Sequence, residues 1–324
     1  IKREIGVGQL RDRRAVGLPV IAALGGMIVP ALIFTAFNAG GPGADGWGIP
    51  MATDIAFALG VVTLLGSRVP PSVKVLLLTL AIADDIGAIV VIALFYSDDL
   101  AVGWLVAAVA ITALVIVMRR VGVVHPLPFV AAGLALWAAV YESGIHATIA
   151  GVVMGLTMPA RPAVDGGESP CDRLIGMLHP WTSFVVVPLF ALANAGIGLS
   201  VDAISDPSSV LVGVAVALVV GKLIGVVGFS WLAVRVGIGR LPAAATWRHI
   251  VGVGALAGIG FTVSLFITGL AFDAPTLQAD AKVGIFGASI VAALAGAAVF
   301  ASARDRGVVS TVCHIAAGSE DSAR

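Results

Sequence analysis

Residues 73–95 read VKVLLLTLAIADDIGAIVVIALF, an apolar run long enough to cross a bilayer, with Asp84 and Asp85 side by side near its middle. About 20 consecutive apolar residues span the hydrocarbon as a helix, which satisfies its own backbone where no water can. Such runs recur at roughly 15–37, 49–66, 72–96, 101–118, 126–141, 145–158, 180–199, 210–233, 250–271 and 282–302, ten in all, with 145–158 short for a span. The chain is 59% hydrophobic and 12% charged over 324 residues. Water-soluble domains run at about 45–50% apolar and about 25% charged. These figures exclude a soluble enzyme and point to an all-α polytopic membrane protein whose first partner is the lipid bilayer. The formal net charge is zero, which gives no sign of a nucleic-acid partner. Cys171 and Cys313 have neither CxxC nor metal-ligand spacing.

Loop charges test the count of spans. Lys and Arg concentrate in cytoplasmic loops. With the N-terminal segment inside (Lys2, Arg3, Arg11, Arg13, Arg14), alternate loops carry Arg68, then Arg119 and Arg120, Arg161 and Arg173, Arg235, Arg240 and Arg248, and Arg304 and Arg306. The opposite loops carry Asp45, Asp98, Asp99, Glu142, Asp202, Asp206, Asp273 and Asp280, and no Arg. A wrong count would scramble that alternation, so both ends are expected in the cytoplasm. The chain opens on Ile1 with a basic segment, 1–14, and reads as a piece of a longer protein; 307–324 is a polar-ended cytoplasmic tail with no assigned structure.

Two spans are poor continuous helices. GWGIPMATDIAFALG, 46–60, holds Pro50 and places Thr53 and Asp54 inside the span. GVGALAGIGFTVSLF, 252–266, holds four glycines, with Thr262 and Ser264 just beyond. Each is the middle member of a trio, in 15–96 and in 201–306, separated by the helices of 97–200. The first trio starts inside and the second outside, so the pattern predicts inverted three-helix repeats with two interrupted helices that cross. Paired interruptions of this kind point to a transporter's binding site.

Five ionisable residues lie within the spans: Asp54, Asp84, Asp85, Lys222 and Lys282. Charges at bilayer depth are costly and mark function. A carboxylate in such surroundings holds a proton or a hard alkali cation, and the two compete. Neighbouring helical residues point about 100° apart. One of Asp84 and Asp85 can therefore coordinate the cation while the other pairs with a lysine or takes a second proton. If the interrupted helices cross, Asp54 can balance two positive helix N-termini and Lys282 two negative C-termini; alternatively, Asp54 and Thr53 are cation ligands. Lys282 begins the last predicted span, whereas Lys222 lies halfway along its helix. His146 reads as a hydrogen-bonded packing residue, and His179 lies at a helix start where pH sensing is one option.

GGMIVPAL, GWGIPMATDIAFALGVVTLLGSRVP, LAIADDIGAIVVIALFY, SGIHATIAGV, LHPW, PLFALANAG, GKLIGV and GIGFTVSLFITGLAF resemble, in order from about Ile1 to Arg306, the bacterial NhaA-type sodium/proton antiporters. The resemblance implies an electrogenic secondary transporter of the bacterial inner membrane. It would use no cofactor or ATP, exchange cytoplasmic sodium or lithium for more than one external proton by alternating access, and serve sodium and pH homeostasis. It assigns Asp85 as the direct sodium ligand, Asp84 as the carboxylate paired with Lys222, Thr53 and Asp54 as the Thr-Asp at the first break, and Lys282 as the compensating lysine. It also implies two further helices before Ile1 and a homodimer in the full-length protein. Arg3, Glu4 and His179 match pH-sensing positions, while Ile175 and Asp172 depart from the family's acidic and lysine residues there. Two rivals are a sodium-coupled symporter of similar fold and an intramembrane aspartyl protease. The spans offer few polar contacts for an organic substrate, and there is no GxGD motif for a protease.

Overall fold

The computed structural model describes residues 13–97, 100–160, 169–194, 196 and 207–302, and among them every regular element is helical. Helix α1 (Arg13–Asn38) is followed by a 3-10 segment, Ala44–Met51, a break at 52–54, and α2 (Ile55–Leu64). Helix α3 (Pro71–Phe95) begins with proline at its first position, where the missing N–H costs no hydrogen bond. Then come α4 (Val102–Val121), α5 (Pro126–Glu142) and α6 (Thr148–Thr157). Helix α7 (Pro170–Trp181) runs through a π-turn, Thr182–Val186, into α8 (Val187–Asn194). Helix α9 (Ser209–Val216) likewise runs through a π-turn, Ala217–Gly221, into α10 (Lys222–Val236). Helices α11 (Trp247–Leu256) and α12 (Phe261–Ala271) form a pair bent by 45°, and α13 (Pro275–Ser302) closes the described chain.

Seven of these stretches are long and apolar enough to cross a membrane, and the bent pair makes an eighth. The remaining two of the ten expected segments are shorter. Helix α5 has 17 residues and α6 only 10. At 1.5 Å per residue α6 covers about 15 Å, half the hydrocarbon thickness.

Three expectations need correction. The seventh helix starts at Pro170, not near 180, so SPCDRLIGMLHPW is helix rather than loop. The Ser169 hydroxyl accepts the Asp172 N–H at 3.0 Å, capping a polar first turn that hydropathy alone does not register. The last helix starts at Pro275, so Lys282 lies two turns inside it rather than at its mouth. Pro50 does not prevent structure upstream, because the tighter 3-10 segment from Ala44 accommodates it.

The two trios supply one continuous body of packing. Helices α1 and α10 run alongside each other from the contact of Leu18 with Gly239 to that of Pro30 with Gly221. At their closest approach Gly25 faces Gly225, and a Cβ on Gly225 would lie 2.2 Å from the Gly25 carbonyl oxygen. Small residues of this kind let membrane helices pack backbone to backbone. One core joins Leu18, Leu77, Leu80, Val226, Ile250, Leu256 and Phe300; a second joins Phe34, Ile49, Ile92, Leu218, Leu265 and Ile285. Between them these cores draw on α1–α3 and α9–α13. Helices α4–α6 hold two smaller clusters of their own, around Leu136 and around Phe129. Along α7–α8, Ile175, Met177, Trp181, Phe184 and Leu192 are exposed.

Candidate ion-binding site

Each half-helix that stops inside the protein leaves unpaired backbone groups and a partial charge of about half an electron at its end. The two breaks satisfy each other. Asp54 caps α2, its Oδ1 accepting from the N–H groups of Ala56 at 3.1 Å and Phe57 at 3.2 Å. Its Oδ2 accepts from Thr262 N–H at 2.9 Å and Thr262 Oγ1 at 2.6 Å, at the start of α12. One carboxylate thus sits on two positive helix ends. The negative ends are met in turn. Asp54 N–H donates to Ile259 O at 2.6 Å, and Thr53 Oγ1 to Ala257 O at 2.9 Å. Ser264 Oγ donates to Ile49 O at 2.7 Å; at the positive end of α12, Gly260 N–H donates to Ser289 Oγ at 3.3 Å.

Lys222 enters this crossing from the first residue of α10, directly after the π-turn. Its side chain is fully buried and its ammonium is 2.7 Å from Asp84 Oδ2. It also donates to Thr53 Oγ1 at 3.0 Å and to the Met51 carbonyl, the last of the 3-10 segment. All three hydrogens of the ammonium therefore have acceptors. Wide π-turns recur at functional sites because they re-aim the residues that follow.

Asp84 is fully buried, and Asp85 beside it is half-buried. Asp84 Oδ1 and Asp85 Oδ1 are both sealed from solvent with no hydrogen-bond partner. Unpaired buried carboxylate oxygens are strongly disfavoured. Here they leave lone pairs free for a proton or a cation. Among the described residues no group of three or more His, Cys, Asp or Glu side chains could hold a metal ion. The donor set is two carboxylates with hydroxyl and carbonyl oxygens around them, which suits a weakly held hard cation.

The structure thus brings together Thr53, Asp54, Asp84, Asp85 and Lys222. Lys282 is half-buried on α13 and makes no hydrogen bond or ion pair with the described residues. It is Lys222, not Lys282, that touches a helix C-terminal carbonyl. His179 is exposed in α7, in contact with Ser183 Oγ at 2.9 Å through Nδ1. Arg3 and Glu4 lie outside the described residues. His146 bonds the Tyr96 carbonyl and packs edge-on to Phe266, as a packing residue does. Sequence reasoning missed the Met51 and Ile49 carbonyls, Ser289 and Tyr96. Backbone carbonyls carry no sequence signal, and lone hydroxyls in apolar helices are too common to single out.

The family model described as Na+/H+ antiporter 1 matches residues 1–300. The chain is 49% identical over 317 residues to the Na(+)/H(+) antiporter NhaA of Mesorhizobium japonicum, covering 95% of this chain and 79% of that protein. It is 49% identical over 310 residues to the Na(+)/H(+) antiporter NhaA of Pseudomonas fluorescens, covering 94% and 78%. It is 48% identical over 305 residues to that of Escherichia coli O1:K1, covering 91% and 77%.

Proposed function

The chain belongs to the Na+/H+ antiporter 1 family of membrane transporters, and from that premise we propose that it exchanges sodium or lithium for more than one proton at the centre formed by Asp84, Asp85 and Lys222. The observation that carries this reading is the pair of orphaned buried oxygens, Asp84 Oδ1 and Asp85 Oδ1, beside the buried Lys222–Asp84 ion pair.

Without a cation, Asp85 carries a proton and Asp84 shares one with Lys222. An entering sodium ion takes the free oxygens and competes with the ammonium for Asp84. One proton leaves Asp85 and a second leaves the Lys222–Asp84 pair. As Lys222 withdraws, the Thr53 hydroxyl regains a lone pair for the cation while still donating to Ala257 O. One positive charge moving against more than one makes the cycle electrogenic. Asp54, whose two oxygens already accept four hydrogen bonds, fixes the crossing rather than the ion. Lys282 adds positive charge to the two carbonyl ends through its field, without contact.

The two trios, 15–96 and 201–306, share their cores while α4–α6 hold clusters of their own, which supports a division into paired trios and an interface group, 97–200, between the short basic segment 1–14 and the tail 307–324. The loop charges support cytoplasmic ends in a bacterial inner membrane. The family resemblance implies a homodimer for the full-length protein. Arg3, Glu4 and His179 would set the pH response, so the exchanger serves sodium and pH homeostasis.

The test is the full chain in proteoliposomes with an acidic lumen. External sodium or lithium should alkalinise the lumen, and an imposed membrane potential should change the rate. Absence of cation-driven proton movement at every pH would overturn the exchange; a rate indifferent to potential would overturn electrogenicity.

A further inference from the structure

The 3-10 segment Ala44–Met51 is eight residues long, whereas runs of such helix beyond three or four residues are uncommon because their hydrogen bonds are poorly aligned. It persists because other elements hold it. Gly46 is seated against the rings of Phe34 and Phe272, Ser264 Oγ bonds Ile49 O, and Lys222 bonds Met51 O. The remaining polar ties come from one side chain, Tyr96, the residue that caps α3. Its hydroxyl donates to Asp45 O at 2.6 Å and accepts from Gly48 N–H at 3.2 Å. Gly48 leaves room for it, since a Cβ there would lie 2.8 Å from the Tyr96 hydroxyl oxygen. Trp47 packs beside the ring and against Phe95. The Tyr96 carbonyl is in turn held by His146, just before α6.

Tyr96 therefore joins three bodies: the helix that carries Asp84 and Asp85, the 3-10 segment whose last carbonyl shares Lys222 with Asp84, and the α4–α6 group. We infer that Tyr96 is a positioning residue for cation binding: its hydroxyl fixes the 3-10 segment against α3 and so fixes the Met51 carbonyl that holds one hydrogen of the Lys222 ammonium away from Asp84. If the segment slips, Met51 O withdraws, Lys222 settles more fully on Asp84, and sodium displaces it less readily. The consequence falls on sodium affinity, not on the turnover of a saturated carrier. The inference rests on the antiport reading above.

Tyr96→Phe keeps the ring and removes both hydroxyl contacts. Sodium-driven proton movement should show the apparent KM for sodium raised roughly tenfold, the loss expected for two neutral hydrogen bonds, with Vmax within about twofold. Gly48→Ala displaces the same hydroxyl without deleting it and should shift KM in the same direction; it serves as the test if Tyr96→Phe fails to assemble. An unchanged KM in an assembled variant, or a fall in Vmax alone, would overturn the inference while leaving the exchange of the parent protein in the same vesicles intact. Absence of exchange in the parent would overturn the antiport reading and this inference with it.

Discussion

Replacing Lys222 by methionine isolates the charge at the centre of the site. Methionine is unbranched and of similar reach, so it fills the space of one of the largest fully buried side chains. What it removes is the ammonium 2.7 Å from Asp84 Oδ2. Asp84 is then a fully buried carboxylate with no counter-charge within hydrogen-bonding reach, and Asp85 stands next to it. Breaking a buried ion pair by deleting one partner costs about 3–5 kcal/mol, because the remaining charge is uncompensated. Asp84 avoids that cost by taking a proton. Sodium must now displace that proton, so its apparent affinity falls more steeply as pH falls. The assay is sodium-induced proton release from vesicles across a pH series, with Lys222→Arg as the charge-retaining control. The Lys222→Met profile should move to higher pH while binding at the alkaline end survives. An unmoved profile would refute the pairing of Lys222 with Asp84 as the source of the pH dependence.

Other variants probe the frame around that pair. Asp54→Ala removes the carboxylate shared by two helix N-termini, and each lost cap costs about 0.5–2 kcal/mol, so the melting temperature of the purified protein should fall; an unchanged value would contradict the double cap. Gly225→Ala places a Cβ where the Gly25 carbonyl already lies. Overpacking of this kind costs about 1–3 kcal/mol and should lower thermal stability, whereas Gly228→Ala, with open space at its Cβ position, should not. Ser169→Ala should fray the start of α7 and speed hydrogen exchange at Asp172 and Arg173; equal exchange would show that the hydroxyl does not hold that end.

Much of this architecture is legible because lipid imposes simple rules on a chain. Span length, loop charge and the glycines at 252, 254, 258 and 260 locate the elements and their breaks, and Thr53-Asp54 and Thr262 mark polar positions that the structure joins. Lys222 stands out because a mid-helix lysine cannot reach the interface. What stayed hidden depends on contacts without a sequence signature. The start of α7 is governed by a cap, Ser169, and a first-position proline, Pro170, which an apolar count passes over. The same is true of Pro275, and missing it put Lys282 at the wrong depth. The 3-10 segment lies in GPGADGWGIPM, whose composition reads as a loop, and its polar ties come from Tyr96, Ser264 and Lys222 in three other elements.

The central claim is that sodium and protons compete for the oxygens of Asp84 and Asp85. Calorimetric titration of the purified protein with sodium, in buffers of different ionisation enthalpy, counts the protons released per cation bound. The account predicts saturable binding with release of more than one proton in the parent protein, and loss of that binding in Asp85→Asn. Sodium binding without proton release, or binding and release unchanged in Asp85→Asn, would contradict it.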